Sequence, residues 1–391
     1  MSGRVLDQHI AVFGERGSGK TVLLSSFYGL VREKEALERT FLDVVADDAG
    51  QGDRLMQNYL GMSREGRVPS TNRFATTTYS FTAKITPPAG TAAKGRNFDR
   101  MRLVWHDYPG EWFHQSPSGP EEAERRAQTF HDLLVSDVAL VLIDGEKLKA
   151  NTGEEERYLK LLFTNIRNGL VPIVDALQVS GKPLLRFPRI WMFALSKADV
   201  LPDMTAKQLR EVVVSKAAHE VDRLRSTIAA AVVDPQVLAV GEDFLLLSSA
   251  KFTSGKIDLD NRVGVSLLMP IASVLPFERF LRWAKLAQRR TKVLDQAFRR
   301  AGPMVGLAVV LVGKLVNRMP LPARLLPVAA AIAGWPSQAR INAALKLVGD
   351  KLRLAHDAAV RKGDNLHAAI TQFGLDLEAA ESKGILVRSL R

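Results

Sequence analysis

The chain has 391 residues, 54 Lys and Arg against 42 Asp and Glu (net charge +12), 46% hydrophobic residues and no cysteine. That length suggests two domains with a sizeable core rather than one compact unit. The missing cysteines exclude disulfides and thiolate metal sites and point to a reducing compartment. Seven histidines are scattered without a metal-ligand spacing such as H-E-x-x-H.

In chain order, His9–Phe13 reads as a short buried strand, starting too early to leave room for a cleavable signal peptide, so a cytoplasmic location is expected. It runs into Gly14-Glu15-Arg16-Gly17-Ser18-Gly19-Lys20-Thr21, which fits G-x-x-x-x-G-K-[ST] residue for residue, and Thr21–Tyr28 then opens a helix. The glycines let the backbone curl so that its N–H groups face a polyphosphate, and the helix N-terminus adds its dipole. Lys20 is placed to reach the β- and γ-phosphates, and the Thr21 hydroxyl to bind Mg²⁺. A chance Gly-rich turn would not explain strand, loop and helix in this order. Arg16 could crowd the terminal phosphate, reach a phosphate or point to solvent.

The polar stretch Val68-Pro69-Ser70-Thr71-Asn72 offers Thr71 as a second Mg²⁺-binding hydroxyl from a loop that orders on binding, preferred over Thr76, Thr77 and Thr78, which already read as the start of the next strand. Tyr79, Phe81, Ala83 and Ile85 alternate with polar residues as a half-buried strand does. A Pro-, Gly- and Ala-rich turn at 87–97 brings the chain back into Met101–His106. That hairpin puts one antiparallel edge strand on a mostly parallel sheet. It delivers Asp107-x-x-Gly110, with Asp107 suited to Mg²⁺ and the Gly110 N–H to the γ-phosphate. Glu111 follows, where an orienting Gln often stands. Its carboxylate would repel a phosphate unless a raised pKa made it a base, and His114 or a partner's residue is the alternative. Lys20, Glu111 and His114 are therefore the candidate catalytic groups. His106 reads as a packing or hydrogen-bonding residue.

Ser118-x-x-Glu121 suggests a capping box for a helix through Leu134, followed by a strand at Asp137–Ile143. A long stretch, 146–188, holds a helical run at 154–168, followed by the segment 171–179, and reads as an insertion. The strand Ile190–Leu195 leads into Ser196-Lys197-Ala198-Asp199, close to [NT]-K-x-D. A carboxylate at Asp199 can accept from both N1–H and the 2-amino group of guanine, a donor pair that adenine lacks. Thr205–Val232 reads as an amphipathic helix, and Leu245–Leu247 leads into Ser248-Ser249-Ala250-Lys251, whose S-A-K segment suits the guanine O6.

With these four elements in order, the chain resembles the Ras-like, translation-factor-related class of P-loop GTPases over about residues 8 to 275. The G-x-x-G-S-G-K-T opening with a Leu-rich helix, and the D-x-P-G-E run, look most like the double-GTPase type of bacterial conflict systems. The resemblance implies an α/β G domain at 1–290 with the insertion near 146–188 and GTP or GDP with Mg²⁺ as ligands, while Glu111, a departure from the family pattern, leads to the expectation of slow turnover without a partner.

The rest, 291–391, is expected to be a smaller, basic, all-α domain. From Arg279 onward there are 20 Lys and Arg against 7 Asp and Glu, leaving 34 against 35 in the preceding residues. Arg279–Arg290 reads as a basic amphipathic helix with an embedded Trp283, suited to anionic lipid or to packing on the G domain. The apolar runs 301–313 and 325–339 are shorter than the ~20 residues that span a bilayer, and form a hairpin either buried or membrane-inserting. Two functions remain: a GTP-hydrolysing switch whose tail meets a membrane or protein partner, or a GTP-sensing module with little turnover. A nucleic-acid role is weaker, because no aromatic-basic recognition module is visible.

Overall fold

The computed structural model describes residues 5–69, 77–85, 100–108, 110–113, 117–185, 187–253, 256–276, 278–279 and 365–389. Ten strands and nine α-helices are found among them. In order these are β1 (Val5–Phe13), α1 (Lys20–Val31), α2 (Lys34–Thr40), β2 (Leu42–Ala46), α3 (Ala49–Glu65), β3 (Thr77–Ile85) and β4 (Arg100–Asp107). Then come α4 (Pro120–Leu134), β5 (Val138–Asp144), α5 (Gly145–Ala150), α6 (Glu155–Ser180), β6 (Ile190–Ser196), α7 (Ala206–Ala231) and β7 (Ala239–Leu246). The series ends with β8 (Lys251–Thr253), β9 (Lys256–Asp258), α8 (Leu268–Ser273), α9 (Asn365–Ser382) and β10 (Leu386–Val387).

Eight strands form one sheet in the order β10-β7-β6-β5-β1-β4-β3-β2. The five central strands are parallel. Both faces are covered, which is why β5 and β6 read as unbroken apolar runs. Alternate residues feed two cores: Ala11, Phe13, Trp191 and Phe193 pack towards the α6 and α7 side, while Ile10, Val12, Met192 and Ala194 meet Leu24 and Phe27 of α1.

The expected hairpin is present, with β3 antiparallel to β4 in a register from Thr77↔Asp107 to Lys84↔Arg100. β2 pairs outside β3 and places Leu42 and Val44 in the core, and the antiparallel strand at a sheet edge is β10, paired with β7. The 146–188 stretch forms the short α5 and one continuous α6, which takes in the helical run expected at 154–168 and extends through 171–179. Pro172 removes a backbone donor inside α6, but the buried stripe from Tyr158 through Phe163 and Ile166 to Val174 continues across it and keeps it helical. Thr205 caps α7 in a reciprocal box with Gln208. The box expected at Ser118 does not form. Pro120 takes the first helical position, and the Ser118 amide donates to Glu122 at 2.7 Å instead.

Residues 365–389 return to this body. Phe373 and Leu377 of α9 enter the α1-side core, and β10 pairs with β7 through Leu386↔Leu245 and Val387↔Phe244. Arg388 bridges Glu278 at 2.9 Å and Glu381 at 2.6 Å. Arg279 pairs with the fully buried Asp243, which also accepts from the Ser389 amide at 2.9 Å. A boundary at residue 290 therefore leaves out a helix and a strand that complete the first sheet. The basic helix beyond Arg279 and both apolar runs lie outside the described residues. Among the described residues no helix is long and apolar enough to cross a membrane.

Candidate nucleotide-binding site

The C-terminal ends of β1, β4, β6 and β7 open into one cavity of about 320 Å³, bordered at one end by Lys20, Thr21 and Asp107 and at the other by Lys197, Asp199 and Ser248. Ligands of open α/β sheets bind at this end of the strands.

The phosphate end is built by the turn from β1 into α1. Gly17 and Gly19 sit at φ +80° and +86° with open space where a Cβ would be, so backbone conformation rather than room calls for glycine there. The Lys20 ammonium donates to the carbonyls of Gly14 at 2.7 Å and Glu15 at 3.2 Å, and lies 5.0 Å from the Tyr108 ring centroid. Burial lowers its pKa to about 8, against the pull of Asp107, Glu111 and Glu15. Tyr108 was not singled out from sequence. Its buried hydroxyl accepts the Gly14 amide at 2.8 Å, pinning the loop to the end of β4, and burial pushes its pKa up. The Ser18 hydroxyl is buried with no hydrogen-bond partner among the described residues, leaving a donor free for an anion.

At Gly110 a Cβ would overlap the backbone of Glu15 and Arg16, so only glycine lets this loop lie against the phosphate loop. Glu111 follows in a short 3₁₀ turn, Gly110–Phe113, and its carboxylate is 3.3 Å from the Arg16 guanidinium. The Thr21 hydroxyl lies 3.4 Å from Asp107 Oδ2. This pair of hard oxygen donors fits Mg²⁺, which keeps several waters and takes one or two protein ligands beside phosphate oxygens. Among the described residues no three His, Cys, Asp or Glu gather to hold a metal by themselves. Thr71 and His114 lie outside the described residues.

At the base end, Lys197 adopts a left-handed conformation (φ 52°) and donates to Asp144 at 2.9 Å and Glu146 at 2.6 Å. Burial works against its charge, but those two carboxylates raise its pKa. Asp199 accepts from the Ser248 hydroxyl at 2.7 Å and the Phe252 amide at 3.2 Å. A carboxylate has about four lone-pair directions, so two remain for a ligand. Ser196 and Ser249 border the same space. Ala250 and Lys251 do not. Ala250 fills a small core with Met62 and Ile257, and Lys251 is exposed at the start of β8.

Glu15 also turns away from the cavity: its carboxylate is buried and pairs with Lys147 of α5 at 2.6 Å. Since Glu146 of the same helix holds Lys197, α5 links the phosphate loop to the base segment. His106 contacts Thr78 at 3.3 Å and stacks on His9 at 5.8 Å, a packing role away from metal chemistry.

A glycine-rich loop between the first strand and helix, an Asp-x-x-Gly at the end of β4 and a seated carboxylate after β6 define a P-loop nucleotide-binding protein of Ras-like architecture. Residues 8–242 match the family model Double-GTPase 2. The chain belongs to the Double-GTPase 2 family, a branch of the P-loop GTP-binding proteins. No curated protein matches it. Among solved structures it is similar to nucleolar GTP-binding protein 1 from Plasmodium falciparum, at 13% identity over 75% of this chain and 98% of that one, with a TM-score of 0.33. It is also similar to the signal recognition particle receptor SRb-GTP/SRX complex of Chaetomium thermophilum, at 16% identity over 63% of this chain and 93% of that one, TM-score 0.31. A third likeness is elongation factor SelB of Methanococcus maripaludis in complex with GppNHp, at 11% identity over 63% and 31% of the two chains, TM-score 0.24. These likenesses are remote.

Proposed function

We propose that the protein binds GTP with Mg²⁺, hydrolyses it to GDP and phosphate, and works as a nucleotide-controlled switch. The observation that carries this reading is the single cavity joining Lys20, Thr21 and Asp107 to Asp199. In this reading Lys20 exchanges its two loop carbonyls for the β- and γ-phosphates, and the Gly110 amide faces the terminal phosphate. Thr21 and Asp107 would hold the Mg²⁺, which neutralises charge developing on the phosphate oxygens. Asp199, steadied by Ser248 and Phe252, accepts N1–H and the 2-amino group of guanine. Glu111 stands where a group orienting the attacking water is expected.

A second reading, a GTP-sensing module with little turnover, is favoured by the Arg16–Glu111 pair, which engages that carboxylate. Single-turnover assays with GTP separate the two: release of phosphate supports the switch, and tight binding without release supports the sensor. The basic segment beyond Arg279, whose own charge is taken up by Asp243, is suited to an anionic membrane surface or an acidic protein partner, with the protein acting in the cytoplasm or peripherally on a membrane. Flotation with phosphatidylserine vesicles in GTP and in GDP tests this. Protein that stays at the bottom of the gradient at low salt in both nucleotides contradicts a lipid role.

A further inference from the structure

Arg16 and Glu111 come from the two loops that bracket the phosphate end of the cavity, and both side chains border it. Their charged groups are 3.3 Å apart, with the Arg16 side chain 53% exposed and that of Glu111 15% exposed. The loops touch directly, since Gly110 lies against the backbone of Glu15 and Arg16. Anything that shifts Gly110 therefore disturbs the Arg16–Glu111 pair.

The two cations here differ in their freedom. The Lys20 ammonium is buried and tied to two carbonyls of its own loop. Arg16 is half in solvent and meets Glu111 through Nε, whereas a guanidinium has five N–H donors in a fork that matches phosphate oxygens. A carboxylate beside a polyphosphate is unfavourable, and a guanidinium between them is not.

We propose that Arg16 is a catalytic residue acting in cis: when GTP fills the cavity, its guanidinium leaves Glu111 for the γ-phosphate and the β–γ bridging oxygen. The inference rests on the GTP-hydrolysing reading above. In the step, the water oxygen bonds to the γ-phosphorus as the bond to the bridging oxygen breaks, and that electron pair stays on GDP. One water proton passes to a γ-phosphate oxygen, so the products are GDP and dihydrogen phosphate. Negative charge gathers on the bridging oxygen, which Arg16 faces. Glu111 is the partner that holds Arg16 aside until the terminal phosphate arrives. On this assignment the chain carries its own arginine and needs none from a partner.

The test compares full-length wild type, Arg16→Ala and Arg16→Lys. GDP affinity is measured by titration, GTP cleavage in single turnover, and GDP–aluminium fluoride binding without added protein partners. Arg16→Ala should bind GDP within about threefold of wild type, lose fluoride-dependent binding, and cleave GTP at least about 100-fold more slowly, as loss of an arginine finger does. Arg16→Lys, a point charge without the fork, should restore only part of the rate. Cleavage by Arg16→Ala within threefold of wild type overturns the assignment of Arg16 while leaving hydrolysis intact. Wild type that binds GTP but neither cleaves it nor takes up aluminium fluoride overturns both.

Discussion

The Thr21 hydroxyl and the Asp107 carboxylate, 86 residues apart in sequence, lie 3.4 Å from each other across the mouth of the phosphate loop. Thr21 is placed by the first turn of α1 and Asp107 by the last residue of β4, which is hydrogen-bonded to β1. The parallel pairing of those two strands thus brings a hydroxyl and a carboxylate to one point. Asp107→Ala should weaken nucleotide binding in Mg²⁺ to the level seen in EDTA, with the thermal midpoint little changed. Titration in Mg²⁺ and in EDTA checks this. A variant that keeps full Mg²⁺ dependence contradicts the pairing of these residues around an ion.

Asp199→Asn exchanges an acceptor for a donor at the base end. GTP affinity should fall by about 10–100-fold, corresponding to ~1–3 kcal/mol for a mismatched buried polar group. Xanthosine triphosphate, with a 2-oxo group in place of the amine, should become the better ligand. Competition titration of the two nucleotides reads the switch directly, and unchanged preference would place the base elsewhere.

Lys20 gives a pH dependence with a definite sign. Burial lowers its pKa to about 8 in the free protein. Triphosphate oxygens beside it raise that value again, so binding above pH 8 takes up a proton. Affinity should therefore be flat below about pH 7 and fall as pH rises past 8, approaching tenfold per unit. Calorimetry at pH 8.5 in buffers of different ionisation heat should show uptake of about three-quarters of a proton, the share of Lys20 left unprotonated half a unit above a pKa of about 8. Zero uptake contradicts the placement of Lys20 beside phosphate.

Tyr108→Phe keeps the ring beside Lys20 but removes the acceptor for the Gly14 amide, 2.8 Å away. A buried N–H left unpaired costs about 1–3 kcal/mol. Both the urea midpoint and GDP affinity should drop. A variant with neither change would show that the loop does not need this anchor.

Arg279→Ala strips the cation from a fully buried Asp243 and should cost about 3–5 kcal/mol in urea unfolding. Replacing both residues by Met and Leu should cost much less, because no charge is then left buried. Equal losses in the single and double variants would assign the damage to packing instead.

Phosphate chemistry fixes the spacing of the loop at 14–21 and of Asp107 and Gly110, and base recognition that of Asp199, so their places at strand ends could be read from sequence, as could the strands that carry them. The strands β2 and β10 could not. Leu42–Ala46 gives only a five-residue alternation, and Leu386–Val387 is too short to have a period. Pro172 removes a backbone donor, and the buried stripe that keeps α6 continuous across it shows only in the fold. Tyr108 was hidden inside Asp-x-x-Gly, since its partner, Gly14, is 94 residues away. The α5 link between Glu15 and Lys197 depends on charges from three separate segments, and Ala250 was drawn inward by a small core formed with Met62 and Ile257.

The most direct measurement is calorimetric titration of the full-length protein with GTP and, separately, ATP, each in Mg²⁺ at pH 7.5. Guanine recognition by Asp199 predicts saturable 1:1 binding of GTP and at least about 100-fold weaker binding of ATP, the discrimination open to a site whose buried polar groups go unpaired with the wrong base. Equal affinity for the two nucleotides, or no binding of either, would contradict it.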